Sequence, residues 1–147
     1  MKKIIYLVIL FSFNSLFAQD SNIIVGEWNA TDFWKNKSKF IFSEDGYISM
    51  TINGEFVDGK NFIIRGGKKD GEKAEMKYEI NYTKNPIELD IIALKTENGM
   101  PKEYGRMFCL LKFTNANEAY LIISKGARDS DFKDENKERI VKLFRQN

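Results

Sequence analysis

From residue 74 to residue 82 the chain alternates strictly: Ala74, Met76, Tyr78, Ile80 and Tyr82 are separated by Glu75, Lys77, Glu79 and Asn81. A period of two puts one set against a core and the other in water, which predicts a strand. At helical spacing the same apolar residues would scatter around the axis. Lys39 to Phe42 leads through Glu44-Asp45-Gly46 into Tyr47 to Asn53, where Ile48, Met50 and Ile52 share a face. Asp-Gly between alternating runs predicts a tight hairpin with positive φ at both central residues, and Asn53-Gly54 repeats the signal. Lys60 to Arg65 is a further strand, closed by a loop at residues 66–71. Asn85-Pro86 marks a turn before a strand from Ile87 to Lys95, and a loop follows over residues 97–101. Tyr104 to Phe113 and Glu118 to Ser124 pair across Asn115-Ala116-Asn117. The tail, residues 138–145, reads either as a short helix or as a closing strand. The strand is the better reading for a barrel, whose last edge must be covered.

Short strands at this spacing predict an all-β fold of eight or nine strands. An antiparallel up-and-down barrel is the economical arrangement, because closure removes both edges; a β-sandwich is the runner-up. No linker or internal repeat divides the chain, so one domain is expected over residues 19–147. Ahead of it, Lys2 and Lys3 precede an apolar run from Ile4 to Phe13, and small Ala18 precedes Gln19. That is the three-part pattern of a cleavable signal peptide over residues 1–18. The run is too short to cross a bilayer, which needs about 20 residues, and no later stretch is apolar enough to span one. The chain is therefore expected to be exported, to a periplasm or to the medium.

Composition mainly removes options. The chain has 23 basic and 21 acidic residues, and the leader takes two lysines, leaving 21 against 21. A neutral, charge-mixed surface gives no electrostatic reason to expect nucleic acid or an anionic membrane as a partner. Cys109 is the only cysteine and lies in the apolar run 107–111, so it reads as a buried, inert thiol. There is no histidine, which removes the commonest general base, most zinc sites and the usual Ser-His and Cys-His nucleophiles. No spacing selects a carboxylate pair, so the chain is not expected to be an enzyme. Gly66-Gly67-Lys68-Lys69-Asp70-Gly71 lies between strands and reads as a mobile hairpin loop, because phosphate cradles precede a helix. Asp129, Asp131, Asp134 and Glu135 lack the central glycine of a calcium loop and read as a solvated acidic turn. No metal and no cofactor are expected.

Val25-Gly26-Glu27-Trp28 resembles the Gly-x-Trp of a lipocalin first strand. Tyr78-Glu79-Ile80 through Asn85-Pro86-Ile87-Glu88-Leu89-Asp90, followed by Tyr104-Gly105-Arg106, resembles a stretch of small exported lipocalin-like proteins. The resemblance implies that Gly26 and Trp28 close the base of a barrel beneath an arginine, Arg145 or Arg139, as a structural set. It also implies a binding protein for a small, largely apolar molecule. The aromatic-rich inner faces agree with this, since a barrel of this size is either packed solid or holds one small ligand. Phe42, Met50 and Met76 are the expected apolar lining. Tyr78, Tyr82 and Arg106 are the expected anchors, each a donor beside the apolar set. The alternative is a protein-interaction module, an inhibitor or accessory subunit, with a filled barrel.

Overall fold

The computed structural model describes residues 22–146. The leader and its Ala18-Gln19 cleavage point lie outside the described residues. Ten strands follow one another: β1 (Gly26–Thr31), β2 (Lys37–Phe42), β3 (Ile48–Ile52), β4 (Glu55–Val57), β5 (Phe62–Ile63), β6 (Lys73–Asn81), β7 (Ile87–Glu97), β8 (Met100–Asn115), β9 (Glu118–Ile123) and β10 (Ile140–Arg145). Two 3₁₀ turns, Gly67–Lys69 and Asp134–Arg139, are the only helical pieces among the described residues.

Every neighbouring pair is antiparallel, and the order is β4-β3-β2-β1-β10-β9-β8-β7-β6-β5. One sheet curls into a nearly closed up-and-down barrel; it is not a two-sheet sandwich. The last strand returns to the first, with Trp28 opposite Arg145 and Ala30 opposite Leu143. The remaining seam runs between β3–β4 and β5–β6. It is fastened by a bridge between Tyr47 and Lys77. The Tyr78 N–H donates to the Gly46 carbonyl at 3.0 Å, and the Met76 N–H to the Gly59 carbonyl at 2.6 Å. Gly59 is wedged against β3: a Cβ there would sit 2.1 Å from the Ile48 carbonyl oxygen. Only glycine permits so close an approach of two backbones.

The elements differ from the sequence reading where alternation carries no information. The tail divides its two readings: a 3₁₀ turn to Arg139, then a strand from Ile140. β8 begins at Met100, so the expected loop shrinks to Asn98 and Gly99, both with positive φ (52° and 76°). This outer hairpin projects beyond the barrel, where Met100 is 71 % exposed, and without a buried side it has no alternation to read. At Asp45-Gly46 only the glycine has positive φ, so the expected two-residue turn is not formed. The Gly46 N–H instead donates to the Ser43 carbonyl.

Side chains alternate in and out as the register requires. Inside, Trp28, Phe42, Ile48, Leu89, Leu111, Leu121 and Leu143 are fully buried. Outside, Ile92, Leu110 and Ile122 are buried too. They lie under the segment between β9 and β10, which crosses the outer face of β7–β9. Arg128 of that segment donates to the Cys109 carbonyl at 2.8 Å and lies 4.9 Å from the Phe108 ring. Asp129 and Arg139 pin the segment by two hydrogen bonds of 2.5 and 2.9 Å.

Candidate functional site

The two ends of the barrel are unlike. At one end the Arg145 guanidinium lies 4.3 Å from the Trp28 ring and donates to the carbonyls of Val25 (2.8 Å), Ala116 (3.2 Å) and Ile23. The indole N–H of Trp28 donates to the Ile24 carbonyl at 2.8 Å, and Phe113 packs 6.0 Å from its ring. Gly26 sits under the guanidinium with φ 126°, where a Cβ would meet Nη1 at 2.8 Å. Arg139 has no part in this plug; it belongs to Asp129.

At the other end the inner faces of six strands stop short of meeting. They leave a cleft of about 280 Å³, with Phe40, Met50, Ile91, Met107, Ile123 and Val141 as its apolar wall. Met107 is 39 % exposed although its register points it inward, because nothing covers it. The rim is polar: Asp32, Asn36, Lys37, Ser38 and Asn53. Two methionines in the wall can repack around occupants of different shape, since their chains are unbranched and flexible. The arrangement is an apolar floor with an amide, hydroxyl and ammonium border, suited to an apolar body carrying one polar head.

The site residues read from the sequence disperse. Met50 is in the cleft wall. Phe42 and Met76 are buried in the core, and Tyr78 packs edge-on to Phe42 at 5.2 Å. The Tyr78 hydroxyl donates to the Ser43 carbonyl at 2.9 Å, and burial, helped by Asp45, raises its pKa. Tyr82 lies toward the base, on a second cleft of about 340 Å³ with Ile87, Leu111 and Phe113. Arg106 requires a correction: it is opposite Ile92, faces outward, and is not beside the inner apolar set. It donates to Glu103 (3.0 and 2.8 Å), Asp90 (2.7 Å) and Glu79 (3.1 Å), and these carboxylates hold its pKa above the ordinary arginine range. Asp90, buried on the outer wall, also accepts from Arg128 at 2.5 Å. Ile91, Met107, Ile123 and Val141 were not singled out, though each continues the alternation of its strand.

Burial pushes the Cys109 thiol up to about 12, so it stays protonated at neutral pH. Among the described residues no group of three or more His, Cys, Asp or Glu side chains could hold a metal ion. No helix of the described residues is long and apolar enough to cross a membrane. Comparison with protein families, curated proteins and solved structures found no match to this chain.

Proposed function

We propose that this is an exported, lipocalin-like binding protein that holds a small, largely apolar molecule in the open end of the barrel, without turnover. The observation that carries the reading is the 280 Å³ cleft, whose wall is apolar and whose border is polar. Its volume is at the low end for ligand sites, which favours an occupant smaller than a typical drug. Removing about 250 Å² of ligand surface from water is worth roughly 6 kcal/mol at 25 cal/mol per Å². Association costs take much of that, so useful affinity needs the preformed wall and a head group bonded to Lys37, Asn36 or Ser38. The plug of Trp28 and Arg145 supports the lipocalin-like reading, because it seals the opposite end.

The test is a titration of delipidated protein with fluorescent fatty-acid and retinoid-like probes. Met107→Asp places a carboxylate in the cleft at a position already partly open to solvent. Binding should weaken by about ten-fold or more, the scale of one desolvated charge, with an unchanged thermal melt. Arg106→Gln, on the outer wall, should leave probe affinity unaltered. Failure of every probe to bind below about millimolar, or equal binding by Met107→Asp, overturns the reading. The exposed rings of Phe33, Trp34 and Phe56 would then favour the protein-interaction module.

A further inference from the structure

The loop between β1 and β2 is built to present two aromatic rings to solvent. Trp34 is 63 % exposed and Phe33 is 45 % exposed, and their rings meet edge-on at 5.5 Å. The loop beneath them is closed by a set of short bonds. The Asp32 N–H donates to the Asn36 carbonyl and the Lys35 N–H to the Asp32 carbonyl, both at 3.1 Å. The Asp32 carboxylate accepts from the Asn36 backbone and from its side-chain amide, each at 2.8 Å. Lys35 takes positive φ (71°) to complete the turn. A soluble surface ordinarily hides such rings or leaves them singly on a mobile tip. Here they are adjacent and held on a fixed loop, so little ordering entropy remains to be lost on docking.

We propose that this loop docks the protein on an anionic lipid surface, with Phe33 and Trp34 entering the interface and Lys35 and Lys37 meeting the headgroups. The chemistry favours lipid over other occupants. Trp and Phe are the side chains that settle at the boundary between headgroup and acyl chain. Lys35 and Lys37 follow the rings in the chain, and among the described residues neither has an ion-pair partner, whereas the neighbouring Lys39 is tied to Glu27 at 3.1 Å. The one acid of the loop, Asp32, is spent on Asn36. The chain's overall neutrality does not oppose this, because a local pair of unpaired cations acts within a screening length of the surface. The loop shares Asp32, Asn36 and Lys37 with the rim of the cleft. Docking would therefore hold the open end of the barrel against the bilayer. The proposal does not depend on the cleft being occupied.

The experiment uses protein purified from expressing cells in the form the cell leaves it, so wild type and variants share one N-terminus. Vesicles of phosphatidylcholine alone and with about 30 % phosphatidylglycerol are the probes. Trp34 is one of two tryptophans, and the other, Trp28, is fully buried, so a blue shift of emission on adding vesicles reports the loop. Wild type should sediment with the anionic vesicles and less with the neutral ones, and salt should release it. Phe33→Ser with Trp34→Ser should abolish sedimentation and leave the thermal melt and probe binding in the cleft unchanged. Lys35→Gln and Lys37→Gln should each weaken anionic binding about five-fold. Absence of wild-type binding to either vesicle, or equal sedimentation by the Phe33→Ser, Trp34→Ser variant, overturns the proposal. So does a dimer in analytical ultracentrifugation that the double variant dissolves without any vesicle binding, which would make the loop a self-association surface. The vesicle assay contains no probe ligand, so its failure leaves the carrier reading intact, and the reverse holds.

Discussion

Replacing Arg145 by methionine keeps the length of the side chain and removes the charge, the fork and the stacking. In the native protein that fork holds the carbonyls of Val25 and Ile23, residues more than a hundred positions away, against the closing strand. Two partly buried bonds from a charged donor contribute about 1 kcal/mol each net. The bond from Nε to Ala116 is exposed and adds little. The guanidinium over Trp28 adds about 1 kcal/mol more. The sum, about 3 kcal/mol, is a large share of the roughly 5–15 kcal/mol that holds an ordinary domain together. For a domain of this size the melting temperature should fall by roughly 10 °C. Urea unfolding followed by Trp emission measures it, with an unchanged slope showing that only stability moved. Gly26→Ala supplies the internal check, because its Cβ would collide with the same guanidinium nitrogen at 2.8 Å. The pair of substitutions should cost less than the sum of the two alone, since removing Arg145 removes the collision. If Arg145→Met unfolds within about 0.5 kcal/mol of wild type, or the two costs simply add, the plug contributes nothing and the argument fails.

Gly59→Ala should destabilise by about 3 kcal/mol, since the obstacle is the Ile48 backbone and not a side chain that can turn away. Gly105→Ala, where nothing lies within 4 Å of the new methyl, should stay within about 0.5 kcal/mol in the same urea assay, and equal effects at the two sites would refute the seam. Asp129 is held down to about 2 from an ordinary 3.8, chiefly by Arg139. A depressed carboxylate stabilises fully above its unfolded pKa and loses that contribution as pH falls through the folded one. The stability gap between wild type and Asp129→Asn should therefore be full at pH 7 and narrow between about pH 4 and pH 2. A gap unchanged at about pH 2 would show that the pair does not anchor the outer segment.

The barrel was legible because its inner face repeats every second residue. Ala74 to Tyr82 was read as strand β6 with the right side inward, and the turn at Asn53-Gly54 falls where two residues take positive φ. What failed to show were features made by pairs distant in sequence. Arg106 comes just before the apolar run 107–111, and its charge says nothing about which face it takes. Only the register opposite Ile92 puts it outside with Glu79, Asp90 and Glu103. The outward Ile92, Leu110 and Ile122 blurred the alternation of β7 to β9, because a later segment covers them and both faces of those strands are buried. The cleft was hidden for a related reason. Its wall takes one residue from each of six strands, so no local window contains it.

The position of the seam bears on how the barrel assembles. The first and last strands are neighbours, and the Gln146 N–H even reaches the Glu27 carbonyl at 2.9 Å, while the gap falls in mid-chain at the turn from Asp58 to Asn61. Eight of the nine strand pairings join strands consecutive in sequence; the ninth, β10 on β1, forms only once a loop spanning almost the whole chain has closed. That closure is the slow, entropically expensive contact in this topology. Tying the two ends together and opening the chain at the Asp58–Asn61 turn would leave the strand order untouched. It would make every paired strand adjacent in sequence, from β5 round through β10 and β1 to β4. The same barrel would then have a much lower contact order, so its natural connectivity is a cost in folding rate that its geometry does not require.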